Sequence, residues 1–145
     1  MKAISLWQPW ATAIALGLKQ IETRGRLLRY RGMIAIHAAQ TRKHSDFLFA
    51  PDQRSAIREV FTAAGYVMIK QLPFGSVVAV AEVYDCRRSE DLLAEGLVSP
   101  EEAVWGNYGP GRFGWLLRDV RRLETPIPWR GSQGFFSVPD EQLAA

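Results

Sequence analysis

A lysine, a carboxylate and a guanidinium stand close together at Lys19, Glu22 and Arg24, directly behind a short apolar run that Gly17 closes. If Gln20 to Arg24 is extended, alternate residues share a face, so Glu22 and Arg24 project together while Ile21 and Thr23 project to the other side. An ammonium can stabilise developing negative charge and a carboxylate can serve water as a general base. The same three charges also make an ordinary surface salt-bridge cluster. Glu82 is the second acid of interest. In Val77-Val78-Ala79-Val80-Ala81-Glu82-Val83-Tyr84, alternation puts it on the face of Val78, Val80 and Tyr84. A carboxylate there is costly unless it is paired. The expectation is that Glu82 meets a cation such as Lys19 or that its face opens into a cleft. It is then either a fold-fixing ion pair or a group tuned for proton transfer. Lys19, Glu22 and Glu82 are the candidate catalytic residues.

A binding set surrounds them. Trp7-Gln8-Pro9-Trp10 places two indoles around a helix start. One belongs by default to the core, and the other can offer a flat face on which a base stacks. Tyr108, in the Gly-rich loop Gly106 to Arg112, is a similar candidate. Pro110 and the strand that follows exclude a dinucleotide fingerprint, which needs a helix there. Arg24, Arg26, Arg29, Arg31 and Arg112 are candidate phosphate ligands, because a guanidinium forks onto phosphate better than an ammonium does. Gln133, in Gly131-Ser132-Gln133-Gly134, lies in a loop able to approach a ligand. Ser132 lacks the Gly-x-Ser-x-Gly context of a hydrolase elbow, and His37 on its apolar strand reads as a satisfied core histidine. Two His and one Cys are too few for a dedicated transition-metal site. Paired acids could hold Mg²⁺ or Mn²⁺ through oxygen, although no spacing demands it.

The elements that must position these residues are short. Lys2 to Leu6 reads as a strand, Trp10 to Leu16 as a compact helix with Pro9 at its first turn, and Lys19 to Arg24 as a strand-like segment. Gly32 to Ala38 and Ser76 to Cys86 are apolar strands. Helices are expected over Asp52 to Ala64, over Ser89 to Gly96 with Ser89 as cap, and from Ser99-Pro100-Glu101-Glu102. Arg112 to Val120 and Pro126 to Trp129 read as two further extended pieces. With 145 residues, 48% hydrophobic and 23% charged, the chain reads as one α+β domain, residues 1–145, with a closed or partly closed barrel and peripheral helices. The lone Cys86, the interrupted N-terminal apolar run and the lack of a spanning apolar stretch lead us to expect a soluble, cytoplasmic protein that has no membrane partner. Net charge is only +3, yet Lys19 to Lys43 holds seven bases and one acid, a local +6. Such a patch is either solvated surface or the footprint of a polyanion such as nucleic acid.

Taken together these segments resemble the ASCH family (activating-signal-cointegrator homology), which is similar in fold to PUA domains. The likeness rests on Ser5-Leu6-Trp7-Gln8-Pro9-Trp10-Ala11, on Gly-x-Lys-x-x-Glu-x-Arg at Gly17, Lys19, Glu22 and Arg24, and on Gly111-Arg112-Phe113-Gly114-Trp115 and Gly131 to Gly134. It implies a small PUA-like β-barrel with short helices flanking a basic cleft, and recognition of RNA or another nucleic acid. Family members that hydrolyse N4-acylated cytidine use a Lys, a Thr and a Glu. Lys19 and Glu82 match two of these, but the position of the Thr, three after the Lys, is Glu22. The expectations therefore run in this order: a protein that binds single-stranded RNA or a modified nucleobase, without a required cofactor; a hydrolase in the same cleft (a ribonuclease, with a divalent metal possible, or an N4-acylcytidine amidohydrolase); and a non-catalytic interaction module.

Overall fold

In the order of the chain the elements are β1 (Lys2–Leu6), α1 (Trp10–Ala15), β2 (Ile21–Arg24), β3 (Gly32–Ala38), α2 (Ser55–Ala63), β4 (Ser76–Arg88), α3 (Ser89–Ala94), α4 (Pro100–Ala103), β5 (Phe113–Pro128) and β6 (Phe136–Ser137), with three short 3₁₀ turns between them. They come from a computed structural model that describes residues 1–49 and 55–143. Asp52 to Arg54, the expected start of α2, lie outside the described residues.

All six strands form one sheet in the order β2-β5-β4-β3-β1-β6. β1 and β3 run parallel, and every other pair is antiparallel. A parallel pair needs a long crossover, and here the crossover carries α1 and β2. The expected α+β class stands, but the barrel is not closed. β2 lies at one edge of the sheet and β1 near the other, with no strand pairing between them. A side chain spans the gap: Arg24 Nη2 donates to the Ser5 carbonyl at 3.3 Å.

The interior explains the short helix. Ala11 and Ile14 pack into the main core with Ile34, Ile36, Ala79, Ala81, Val83 and Trp115. Ala13 enters a second cluster with Leu48, Phe61, Leu72 and Trp105. A helix apolar on all sides is one that is enclosed, and complete burial of a side chain such as Ile14 contributes ~1.5–3 kcal/mol. The buried Gln8 ties down its start, accepting from Thr12 N at 3.0 Å and donating to Thr12 Oγ1 at 2.6 Å. Gly17 turns the chain out of α1 at φ +78°, a conformation that suits glycine.

Two local expectations change. Ser89 is the first residue of α3 and Arg88 precedes it as cap, whereas Ser99 does cap α4, its Oγ accepting from Glu102 N at 3.0 Å. The two late extended pieces are one strand, β5, whose register against β4 shifts three times. Such bulges let a long strand bend and stay paired. Among the described residues, no helix is long and apolar enough to cross a membrane.

Candidate functional site

Behind Gly17 the backbone N–H groups of Leu18 and Lys19 both donate to the Ala13 carbonyl, at 2.9 and 3.2 Å. This turn sends the Lys19 side chain into the protein, where it is completely buried. Its Nζ donates to the carbonyls of Ile21 at 2.5 Å and Trp105 at 3.3 Å, and lies 3.3 Å from Glu22 Oε1. An ammonium has three protons. All three have partners, so Lys19 holds Glu22 from beneath and is not among the residues that line the cleft. Glu22 receives Arg24 on its other oxygen, Nε to Oε2 at 2.7 Å. Glu22 and Arg24 thus share a face, as strand alternation requires.

The cleft above them has a volume of about 1380 Å³. The ends of β1 and β3, the start of α1, strand β2 and two loops surround it. In the first loop Asn107 N donates to Thr23 Oγ1 at 3.0 Å, and Arg112 donates to the Asn107 and Thr23 carbonyls at 2.9 and 3.2 Å. The second loop supplies Trp129, Arg130 and Gln133. At the mouth Trp7 is 52% exposed and packs against His44, ring centroids 3.9 Å apart with the planes tilted at 36°. Trp10 is the core indole of the pair, half-buried against Phe47 and Trp105. Glu102 secures the edge, accepting from Gln20 N at 2.8 Å and Ile21 N at 3.3 Å. Burial holds its carboxyl above the ordinary value, against those two bonds and the charge of Lys19.

Other expected residues lie elsewhere. Glu82 does not meet Lys19 and does not line the cleft. It forms a forked pair with Arg118, Nε to Oε1 at 3.0 Å and Nη2 to Oε2 at 3.2 Å, on the open outer face. Arg118's hydrogen bonds hold its carboxyl below the usual range, outweighing desolvation. Tyr108 turns inward, with a buried hydroxyl that has no hydrogen-bond partner among the described residues. Burial, and then the charges of Glu102 and Glu22, push this phenol far above its ordinary value. It offers no stacking face to the cleft. Arg31 engages Asp85 at 3.6 Å and two nearby carbonyls. Arg29 is exposed away from the cleft, and Arg26 flanks its second loop, where a Cβ on Gly134 would lie 3.8 Å from Nη2.

Among the described residues Glu22 is the one carboxylate in the cleft lining, and a lysine and an arginine already hold it. That does not fit a divalent cation, which needs oxygen donors free to coordinate. Among the described residues, no three His, Cys, Asp or Glu side chains gather as metal ligands.

Ser5 and Arg130 line the cleft without having been singled out from the sequence, and His37, expected as a satisfied core histidine, is buried with a partner on each ring nitrogen and reaches the same lining. Ser5 Oγ is 2.9 Å from His37 Nδ1, and His37 Nε2 is 2.7 Å from the Trp129 carbonyl. Burial lowers the affinity of this imidazole for a proton, while the Trp129 carbonyl acts in the other direction. Serine in Ala3-Ile4-Ser5-Leu6 and histidine in Ile34-Ala35-Ile36-His37 are the polar exceptions in apolar strands. A buried polar group needs a partner, and that was the available signal.

Comparison with known proteins agrees with this architecture. An ASCH protein from Zymomonas mobilis superposes with a TM-score of 0.56 at 20% identity, over 98% of this chain and 90% of that one. Structures of serine-to-alanine and tyrosine-to-phenylalanine variants of that protein both match at 0.55, with 19% and 20% identity, over 98% of this chain and 90% and 92% of theirs. No curated protein matches the chain. The family model described as the ASCH domain matches residues 4–123, well over half of the length, and the chain therefore belongs to the ASCH family.

Proposed function

We propose that the cleft binds single-stranded RNA, with a base, modified or not, held at Trp7 and the backbone followed by the arginines. The observation that carries this reading is the half-exposed Trp7 ring at the mouth of a cleft whose described lining holds three guanidiniums, Arg24, Arg112 and Arg130, and one carboxylate. The neutral amide of Gln133 and the held carboxylate of Glu22 supply an acceptor and donor set for base edges. Membership of the ASCH family supports the same reading. Lys19 serves as a positioning residue for Glu22.

The test is fluorescence anisotropy with short labelled oligoribonucleotides. Three phosphate contacts on a single strand give a slope of log affinity against log salt of about −2, or roughly a 20-fold loss between about 50 and about 200 mM. Trp7→Ala removes a stacking platform worth ~1–3 kcal/mol, a loss of about 5- to 150-fold, and leaves the slope unchanged. Arg112→Ala lowers the steepness of the slope by ~0.7. Salt-independent binding, no binding, or full affinity in Trp7→Ala overturns the proposal.

A further inference from the structure

We propose that Ser5 is a nucleophile, activated by His37, that accepts acyl groups from activated esters at the floor of the cleft. The inference does not rest on the RNA reading. It starts from the parallel pairing of β1 and β3, which sets Ser5 directly opposite His37. Nε2 of the ring lies 2.7 Å from the Trp129 carbonyl oxygen, which can only accept, so Nε2 carries the hydrogen. In the neutral ring Nδ1 is then the acceptor, and the Ser5 hydroxyl at 2.9 Å must donate to it. A serine proton aimed at a base, with the base oriented by a third group, is the general arrangement of an activated nucleophile. The relation differs from the familiar triad in that a backbone carbonyl stands in for the acid.

The ring has no freedom to abandon this geometry. A Cβ at Gly131 would lie 2.5 Å from His37 Cε1, so the glycine backbone covers the ring closely. Phe136 meets the ring edge-on, centroids 5.5 Å apart at 88°. Ser5 is half-buried and His37 buried, and both line the cleft. Burial also keeps the imidazole neutral, the form that can take a proton. Arg24 Nη2, its Nε held by Glu22, donates to the Ser5 carbonyl at 3.3 Å and so fixes the backbone of the attacking residue.

In the reaction Ser5 Oγ bonds to the acyl carbon as its proton passes to His37 Nδ1. The ester C–O bond breaks, the departing oxygen takes the proton from Nδ1, and the acyl group remains on Oγ. Water repeats the sequence, releasing the carboxylic acid and restoring the hydroxyl.

The experiment treats the whole protein with a fluorophosphonate probe and, separately, p-nitrophenyl acetate, followed by intact mass and peptide mapping. With the probe, Oγ bonds to phosphorus and fluoride leaves with the proton. The expected result is one adduct, on Ser5, absent from Ser5→Ala and formed about 100-fold more slowly in His37→Asn. Circular dichroism confirms that each variant is folded, and the wild-type adduct needs neither variant. No adduct on native protein, an adduct on Ser132, or an undiminished rate in folded His37→Asn overturns the proposal. The probe reaction contains no RNA, so its failure leaves the RNA reading standing.

Discussion

Two acid–base clusters in this molecule look alike in the sequence and differ in their surroundings. Lys19, Glu22 and Arg24 sit under the cleft, whereas Glu82 and Arg118 sit on the outer face of β4 and β5. By hydrogen-bond geometry the outer pair is the more regular, a two-pronged fork at 3.0 and 3.2 Å. The inner cluster has one 2.7 Å contact and one at 3.3 Å. Exposure reverses the ranking. The side chains of Lys19 and Glu22 are 0% and 10% exposed, those of Glu82 and Arg118 28% and 55%. Coulomb interactions strengthen as the local dielectric falls, and so does the penalty for leaving a charge alone. Burial, more than contact geometry, decides which pair the fold depends on.

Lys19→Met tests that difference where it is largest. It strips Glu22 of one partner and leaves the Ile21 and Trp105 carbonyls without their donor. Breaking a buried pair from one side costs ~3–5 kcal/mol, which lowers the urea midpoint by more than about 1 M. Adding Glu22→Gln recovers part of the loss, because a buried carboxylate short of one of its two cations is no longer there. A Lys19→Met protein with the wild-type midpoint breaks the comparison.

What the sequence made legible follows the same physics of locality. Glu22 and Arg24 are two apart on one strand, so alternation alone brings them together. Lys19 is close enough in sequence to join them. Ser5 and His37 become neighbours only through the parallel pairing of β1 with β3, and Arg130 only through the loop after β5. Glu82 does share a face with Tyr84, as alternation demands, but nothing covers that end of the face. The register shifts in β4 and β5 that bend the sheet leave no mark in hydrophobic alternation. The open barrel was illegible for a related reason. Whether edge strands meet depends on accumulated twist, and here Arg24 bridges edges whose backbones never pair.

The cleft floor also has an acid signature. Burial puts the folded-state value of His37 below its ordinary 6.5. As pH falls below that value the unfolded ring takes a proton that the folded ring refuses, so the unfolded state binds more protons and stability declines. His37→Asn removes this contribution. Glu102, held above its ordinary value, works in the opposite sense, but it is present in both proteins and cancels from the difference. Urea midpoints measured from about pH 7.5 to about pH 5 should fall more for wild type than for His37→Asn. Parallel profiles would mean that the floor is as open to protons as the outer face.

Glu82→Gln is the smallest expected effect and the sharpest control. Arg118 loses a charged acceptor but keeps water, and its guanidinium still lies 4.7 Å from the centre of the Tyr84 ring. Because Arg118 holds the Glu82 carboxyl below 4.5, Glu82 is ionised throughout the neutral range, and the substitution there removes only a solvent-screened attraction. The urea midpoint should not move measurably. RNA affinity should also stay unchanged, since Glu82 does not line the cleft. A lowered midpoint would show that fork geometry can outweigh exposure. A changed affinity with an unchanged midpoint would extend the binding surface onto the outer face, beside Arg121 and Arg122 on the same strand.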